Sequence, residues 1–102
     1  ATDGDEILEH SFGLREEIAD VILRNPQLTS IEIQGHTDDR GGRDHNQELS
    51  QRRADSVRTW LTQHGVEAHR LQSVGYGQTR PLVPNITSSN RARNRRVQFV
   101  VQ

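Results

Sequence analysis

Two alternating runs, SIEIQG and LQSVGYG, flank a single long helical pattern, and that order limits what this chain can build. The helical stretch runs from about His45 to His64. Leu49, Val57, Trp60 and Leu61 fall on the face that would meet a core, and Gly65 is the stop signal. Asp44 or Asn46 would cap its start. In the first run Ile31 and Ile33 share one side of a short strand that ends at Gly35. The second run, residues 71–77, is weaker because Gly75 and Gly77 interrupt it. Upstream, Leu14, Ile18, Val21 and Ile22 recur at helical spacing, predicting a helix from about Ser11 to Arg24 with Ser11 as N-cap and Asn25-Pro26 as its end. Downstream, the polar segment TRPLVPNITSSN leads to RVQFVV, a last strand in which Val97, Phe99 and Val101 alternate with Gln98 and Val100. Helix, strand, helix, strand, strand is the order of an α+β two-layer sandwich, helices packed on a sheet. Three strands under two helices make a thin sheet, so a further strand is expected upstream of Ala1.

All 102 residues are assigned to one domain, since the chain is long enough for a single core with little to spare. Only 30% of residues are apolar and 4% aromatic, so that core must be small and made mostly of Val, Ile and Leu. No stretch approaches the roughly 20 apolar residues of a membrane span. No signal-peptide pattern opens the chain, and its start at Ala1 is taken as processing or excision. The absence of Cys excludes disulfides and thiolate metal sites.

A net charge of −1 conceals a strong asymmetry. Residues 1–50 hold twelve acids and four arginines, giving −8, whereas residues 51–102 hold two acids and nine arginines, giving +7. Every basic residue is Arg. Codon usage would produce this, and so would a need for planar guanidinium groups that grip carboxylates as Lys cannot.

The densest chemistry lies between the first strand and the long helix, in GHTDDRGGRDH. A turn requires Gly and Asp, but it does not require the charges of Asp38, Asp39, Arg40 and Arg43 together. Asp38 sits just beyond a strand's carboxyl end, the usual place for ligand sites on helix-covered sheets. Arg53 falls on the apolar stripe of the helix, where an isolated buried charge is costly, so it should reach toward the loop. A carboxylate beside a guanidinium would match a ligand carrying ammonium and carboxylate, such as an amino-acid headgroup. A plain Asp38–Arg53 ion pair pinning loop to helix fits the same spacing. Thr37 and Asn46 would be polar auxiliaries, and Asn46 could equally be a helix cap. Gly41-Gly42 lets the loop turn and lacks P-loop spacing.

Catalysis and metal chemistry find little support. His36, Asp38 and His45 match no common zinc pattern, and His36 is expected to bond backbone or carboxylate near the strand end. Ser50 shows no nucleophile elbow, and no convincing pair of carboxylates exists for glycosidase work. No cofactor is implied. NRARNRRV, residues 90–97, suggests nucleic acid at first sight, yet no aromatic residue interleaves it and the sequence pI is 6.6. No nucleic-acid partner is therefore expected, and one of these arginines could instead reach the Asp38 pocket across the sheet's end.

GHTDDRGGRDHNQELSQRRADSV, then GYGQTRP, then NRARNRRVQFVV, resembles the OmpA-like peptidoglycan-binding domain of outer-membrane proteins, peptidoglycan-associated lipoproteins and MotB-type stators. The resemblance runs from about Glu6 to the end. It implies the βαβαββ fold of that family, here without its first strand. It further implies non-covalent binding of cell-wall peptidoglycan through the diaminopimelate of the stem peptide, held by Asp38 and Arg53. Thr37, Asn46, Leu49 and Arg96 are the other positions the family lines this pocket with. The family is non-enzymatic, periplasmic and associated with the outer membrane. The resemblance implies a domain that is not itself inserted in the membrane, in a parent protein tethered to the outer or inner membrane by a separate segment. Two departures stand out: the strand of type I-x-F that usually precedes the position of Ala1 is absent, and Asn90 replaces a Gly expected in a left-handed turn. A missing strand would expose a sheet edge, and a structural or protein-interaction domain, including an edge-paired homodimer, is the alternative function.

Overall fold

In the computed structural model, which describes residues 12–102, helix α1 spans Phe12–Arg24 and strand β1 spans Ile31–His36. Helix α2 follows over Arg43–Gln63, then a 3-10 turn at Ala68–Arg70 and strand β2 at Leu71–Gly77. A short helix α3, Ser88–Asn94, precedes strand β3, Arg96–Val101. The Ser11 cap, the side chain of Leu14 and the strand expected upstream lie outside the described residues. The strand order is β2-β1-β3, with β1 parallel to β2 and antiparallel to β3. The parallel pair is possible because α2 carries the chain back across the sheet before β2 begins.

Alternation along β1 sends Ile31 and Ile33 to one face and Glu32, Gln34 and His36 to the other. On the first face Ile31 and Ile33 join Leu71, Ala54, Val57, Leu61, Val66, Ala19 and Ile22 in one buried cluster, flanked by Val97, Phe99 and Trp60. The apolar stripe of α1 differs from the expected one. Ile22 and Ala19 are buried, whereas Val21 is 55% exposed. At about 100° per residue Ala19 and Ile22 lie to one side of Ile18 and Val21 to the other, and the sheet takes the first side.

Glycine brings α2 into backbone contact with the sheet. A Cβ at Gly35 would fall 2.0 Å from the Ser50 carbonyl oxygen, and one at Gly75 2.4 Å from the Gln51 nitrogen. The same approach lets α2 side chains occupy the outward backbone groups of β2. Gln51 bonds both the Ser73 carbonyl and the Gly75 N–H, Gln47 donates to the Gly75 carbonyl, and Arg58 donates to the carbonyls of Leu71 and Ala68. The outer edge of β2 is thereby closed to strand addition.

The helix ends show where local signals succeeded and failed. Gly65, at φ +99°, ends α2 as expected. The Val66 N–H bonds the Leu61 carbonyl and the Gly65 N–H the Thr62 carbonyl, with Val66 buried beside them, a Schellman arrangement. At the other end neither Asp44 nor Asn46 is the cap: α2 starts earlier, after Gly42, with no side-chain cap bond. Asn90 is not in a left-handed turn either, since no non-glycine residue among those described has positive φ. It lies in α3, which Thr87 caps by accepting from the Asn90 N–H. That helix was invisible to apolar periodicity because SSNRARN has almost no apolar residue.

Arg70 fastens α1 to the sheet. Buried at 4% exposure, it donates to the carbonyls of Ile22, Asn25 and Leu28, each at 2.9 Å, where the end of the helix presents negative potential. Arg70→Ala is expected to lower unfolding free energy by about 2–4 kcal/mol in urea titrations, because three hydrogen bonds from one buried, charged donor are lost together. Arg70→Lys should recover less than half of that loss, since one ammonium cannot span the three acceptors.

Candidate functional site

The close packing of α2 on β1 leaves a pocket of about 280 Å3 at the sheet's end, where β1 gives way to the loop. Thr37, Asp38, Arg40, Gly41, His45, Asn46, Leu49, Arg53 and Arg95 line it. Five of the six residues expected from sequence are therefore brought together: Asp38, Arg53, Thr37, Asn46 and Leu49. Arg96 is not among them. It opens β3 opposite His36, so its side chain falls on the sheet face away from the helices. There it bonds Gln98 and the carbonyls of Asn94 and Arg80. The pocket arginine is its neighbour Arg95, which ends α3 and points into the loop.

Asp38 is buried, at 5% exposure. One carboxylate oxygen accepts from the Arg40 backbone N–H at 3.0 Å. The other meets the Arg95 guanidinium at 2.7 Å and that of Arg40 at 3.4 Å. Burial pushes its carboxyl up, but the Arg40 N–H and the two guanidinium groups outweigh that and hold it below the ordinary range. Arg53, 1% exposed, directs NH1 toward the His36 carbonyl at 3.5 Å. Thr37 donates to the Asp38 carbonyl at 2.8 Å, as does Asn46 at 3.2 Å. Leu49 supplies an apolar surface, 7% exposed. Asp39 is outside the pocket and pairs with Arg91 of α3 at 3.5 Å, so the loop is held from both sides. Asn94, fully buried, accepts from the N–H groups of Leu82 and Val83 and donates to the Val83 carbonyl and Asn85, which fixes the segment leading into α3.

Arg40, Gly41, His45 and Arg95 were not singled out from sequence as pocket residues. The cluster NRARNRR carried a signal for Arg95, but which of its arginines reaches Asp38 depends on where the last strand begins.

His36 occupies the opposite face, not the pocket. Tyr76 OH and Gln34 Nε2 both donate to Glu32 Oε1, which turns Gln34 Oε1 toward His36 Nε2 at 3.0 Å. The ring is therefore the neutral Nε2–H tautomer, bonded to an amide rather than to the backbone or carboxylate expected. It also stacks on Tyr76, with centroids 5.5 Å apart. Burial first, then the positive charges of Arg96 and Arg80, lower its pKa from the ordinary 6.5 to about 4. Among the described residues no group of His, Asp and Glu is placed to hold a metal ion.

Residues 4–95 match the sequence model of the OmpA family. The chain belongs to that family. It is 44% identical over 93 residues to outer membrane porin F of Pseudomonas fluorescens, covering 91% of this chain and 28% of the porin. It is 40% identical over 72 residues to the peptidoglycan-associated lipoprotein of Legionella pneumophila, covering 71% of this chain and 41% of the lipoprotein. The chain thus spans less than half the length of either relative. Among solved structures, the peptidoglycan-associated lipoprotein from Burkholderia pseudomallei superposes with a TM-score of 0.83 at 33% identity, covering 91% of this chain and 78% of that one. The C-terminal domain of Helicobacter pylori MotB gives 0.80 at 34% identity, covering 98% and 74%. The α+β fold of OmpA-family domains expected from the motifs is therefore the fold observed. The relatives include an outer membrane porin, a peptidoglycan-associated lipoprotein and the flagellar protein MotY, which place the domain in the periplasm in association with the outer membrane. No described helix is long and apolar enough to cross a membrane.

The buried neutral imidazole of this OmpA-family domain makes a pH prediction. His36 binds a proton in the unfolded chain below pH 6.5 but in the folded one only near 4, so the unfolded state gains protons first. Stability should fall as pH drops from about 6.5 to 4, by roughly 3 kcal/mol for a shift of this size. His36→Gln, which keeps a donor near Gln34, should flatten unfolding free energy across that window. An unchanged slope would show that other groups set it.

Proposed function

We propose that the domain holds cell-wall peptidoglycan non-covalently, through the diaminopimelate of a stem peptide, and so anchors an envelope protein to the wall. The observation that carries this reading is the joint placement of an ionised, buried Asp38 and a buried Arg53 on one pocket of amino-acid size. A free diaminopimelate end carries ammonium and carboxylate on one carbon, and the two protein charges are complementary to it. Leu49 would pack against the methylene chain. Relatives named for peptidoglycan association support the same ligand class.

In the ligand-free pocket Arg40 and Arg95 neutralise Asp38. The Arg40 contact is long and its side chain is 60% exposed, so it contributes little stability and can be exchanged for a ligand ammonium. Arg95 lies closer and less exposed, and would stay or turn to a ligand carboxylate. The pocket favours binding without turnover: among the described residues Asp38 is its only carboxyl group, and it is held charged in an ion pair. The alternative, a protein-interaction domain that adds a strand, is disfavoured at β2, whose outward groups α2 already occupies.

Asp38→Asn is nearly isosteric and should keep the fold, judged by circular dichroism. It should weaken diaminopimelate binding about 30-fold or more in NMR titration, as loss of one partner of a buried charge pair does. Sedimentation with purified peptidoglycan should fall in parallel. Arg53→Lys should weaken binding in the same direction. Undiminished binding by both folded variants would rule this pocket out as the site.

A further inference from the structure

Asn46 has its hydrogen-bonding direction dictated by its neighbours. Its Nδ2 donates to the Asp38 carbonyl at 3.2 Å and to Gln78 Oε1 at 2.8 Å. A backbone carbonyl can only accept, so the nitrogen must be the atom on that side and the amide cannot be reversed without loss. Both amide hydrogens are then used, and Oδ1 is left. It lies on the Gly41 side, 3.4 Å from where a Cβ on Gly41 would stand, and no donor among the described residues meets it. Asn46 and Gly41 both line the pocket; Gln78 does not.

Gln78 reaches this position through the end of β2. Gly77, at φ +56°, turns the chain there, its carbonyl accepts from the Thr37 N–H at 2.9 Å, and its N–H is held by Ser50 Oγ at 2.8 Å. The half-buried Gln78 side chain is thus fixed beside the α2 turn that carries Asn46.

We infer that Gln78 is a positioning residue for ligand recognition: its Oε1 locks the Asn46 amide so that Oδ1 faces the pocket and accepts from a ligand ammonium beside Asp38. The inference rests on the zwitterion-binding function proposed above and adds a polarity to the site. The wall made by Asp38 and Asn46 only accepts hydrogen bonds from the ligand, so the ammonium belongs there and the carboxylate toward the guanidinium groups. Without the Gln78 acceptor only the longer bond to the Asp38 carbonyl, 3.2 Å, would hold the amide, and turning its NH2 to the pocket, which opposes an ammonium, would cost one hydrogen bond instead of two.

The test is a double-mutant cycle with diaminopimelate as the probe, following Kd by NMR titration of this chain. Gln78→Leu should weaken binding about three- to tenfold, the range expected for one lost hydrogen bond. In an Asn46→Ala background the same substitution should change Kd by less than about twofold. Gln78→Glu, which still presents an acceptor, should restore binding. In the free protein the two Asn46 side-chain NH2 protons should be well separated and slow to exchange, and Gln78→Leu should merge or speed them. An equal loss in both backgrounds, or no loss from Gln78→Leu, overturns the positioning role. Unchanged Asn46 amide signals in Gln78→Leu overturn the lock itself. A wild type that does not bind diaminopimelate overturns the proposed ligand and the recognition role together, and the free-protein signals still show separately whether Gln78 holds the amide.

Discussion

The structure depends on a backbone-to-backbone approach between α2 and the ends of β1 and β2. Gly35 and Gly75 permit it, because any side chain at either position would collide with the Ser50–Gln51 turn of the helix. A helix packed on a sheet through ordinary side chains stands about one side-chain layer off it. Here that layer is missing at one end and present at the other, where Val57 and Leu61 meet Ile31, Ile33 and Leu71. The close end is the polar end. It brings Arg53 under the His36 carbonyl, Asn46 against the Asp38 carbonyl, and Ser50, Gln47 and Gln51 onto the backbone of β2.

The electrostatics follow from which side of β1 a residue occupies. On the helix side of the sheet's end, Asp38 remains charged although buried, because an N–H and two guanidinium groups offset its desolvation. On the other side, His36 is kept neutral by burial and by nearby arginines, and the Glu32–Gln34 pair fixes its tautomer. The all-arginine composition has an account in these places. Arg70 spans three carbonyls and Arg58 two, geometries that suit a planar fork better than an ammonium. The acidic first half and basic second half meet in the Asp38–Arg95 and Asp39–Arg91 pairs, which tie the loop to α3.

The proposed wall-anchoring role calls for retention without chemistry, and the arrangement of the pocket is consistent with it. Among the described residues its one carboxylate is paired, Leu49 gives it an apolar surface, and the surrounding loop is held from β1, α2 and α3. Membership of the OmpA family agrees with that arrangement, while the diaminopimelate ligand is supported by complementarity of charge and size.

Strand and helix order was legible in the sequence because apolar spacing and Gly signals are local: β1, β2, β3 and the Gly65 stop all fell where periodicity put them. Asp38 and Arg53 stood out as well, since a charge just past a strand and a charge on an apolar stripe both demand a partner, but the structure gives Asp38 the guanidinium groups of Arg40 and Arg95 and directs Arg53 to the His36 carbonyl. Val21 misled because four residues at helical spacing define a stripe wider than the face a sheet covers. Helix α3 was hidden because a capped polar turn has no periodicity to detect. Arg95 rather than Arg96 enters the pocket because β3 begins at Arg96, opposite His36, and alternation then turns Arg96 to the far face. The partnership of Gln78 with Asn46 lies further still from any local signal. Sequence by itself determined every one of these elements except α3, and which charges must be satisfied. Only tertiary structure decided which partners satisfy them, because that depends on how closely two glycines let one helix approach the sheet.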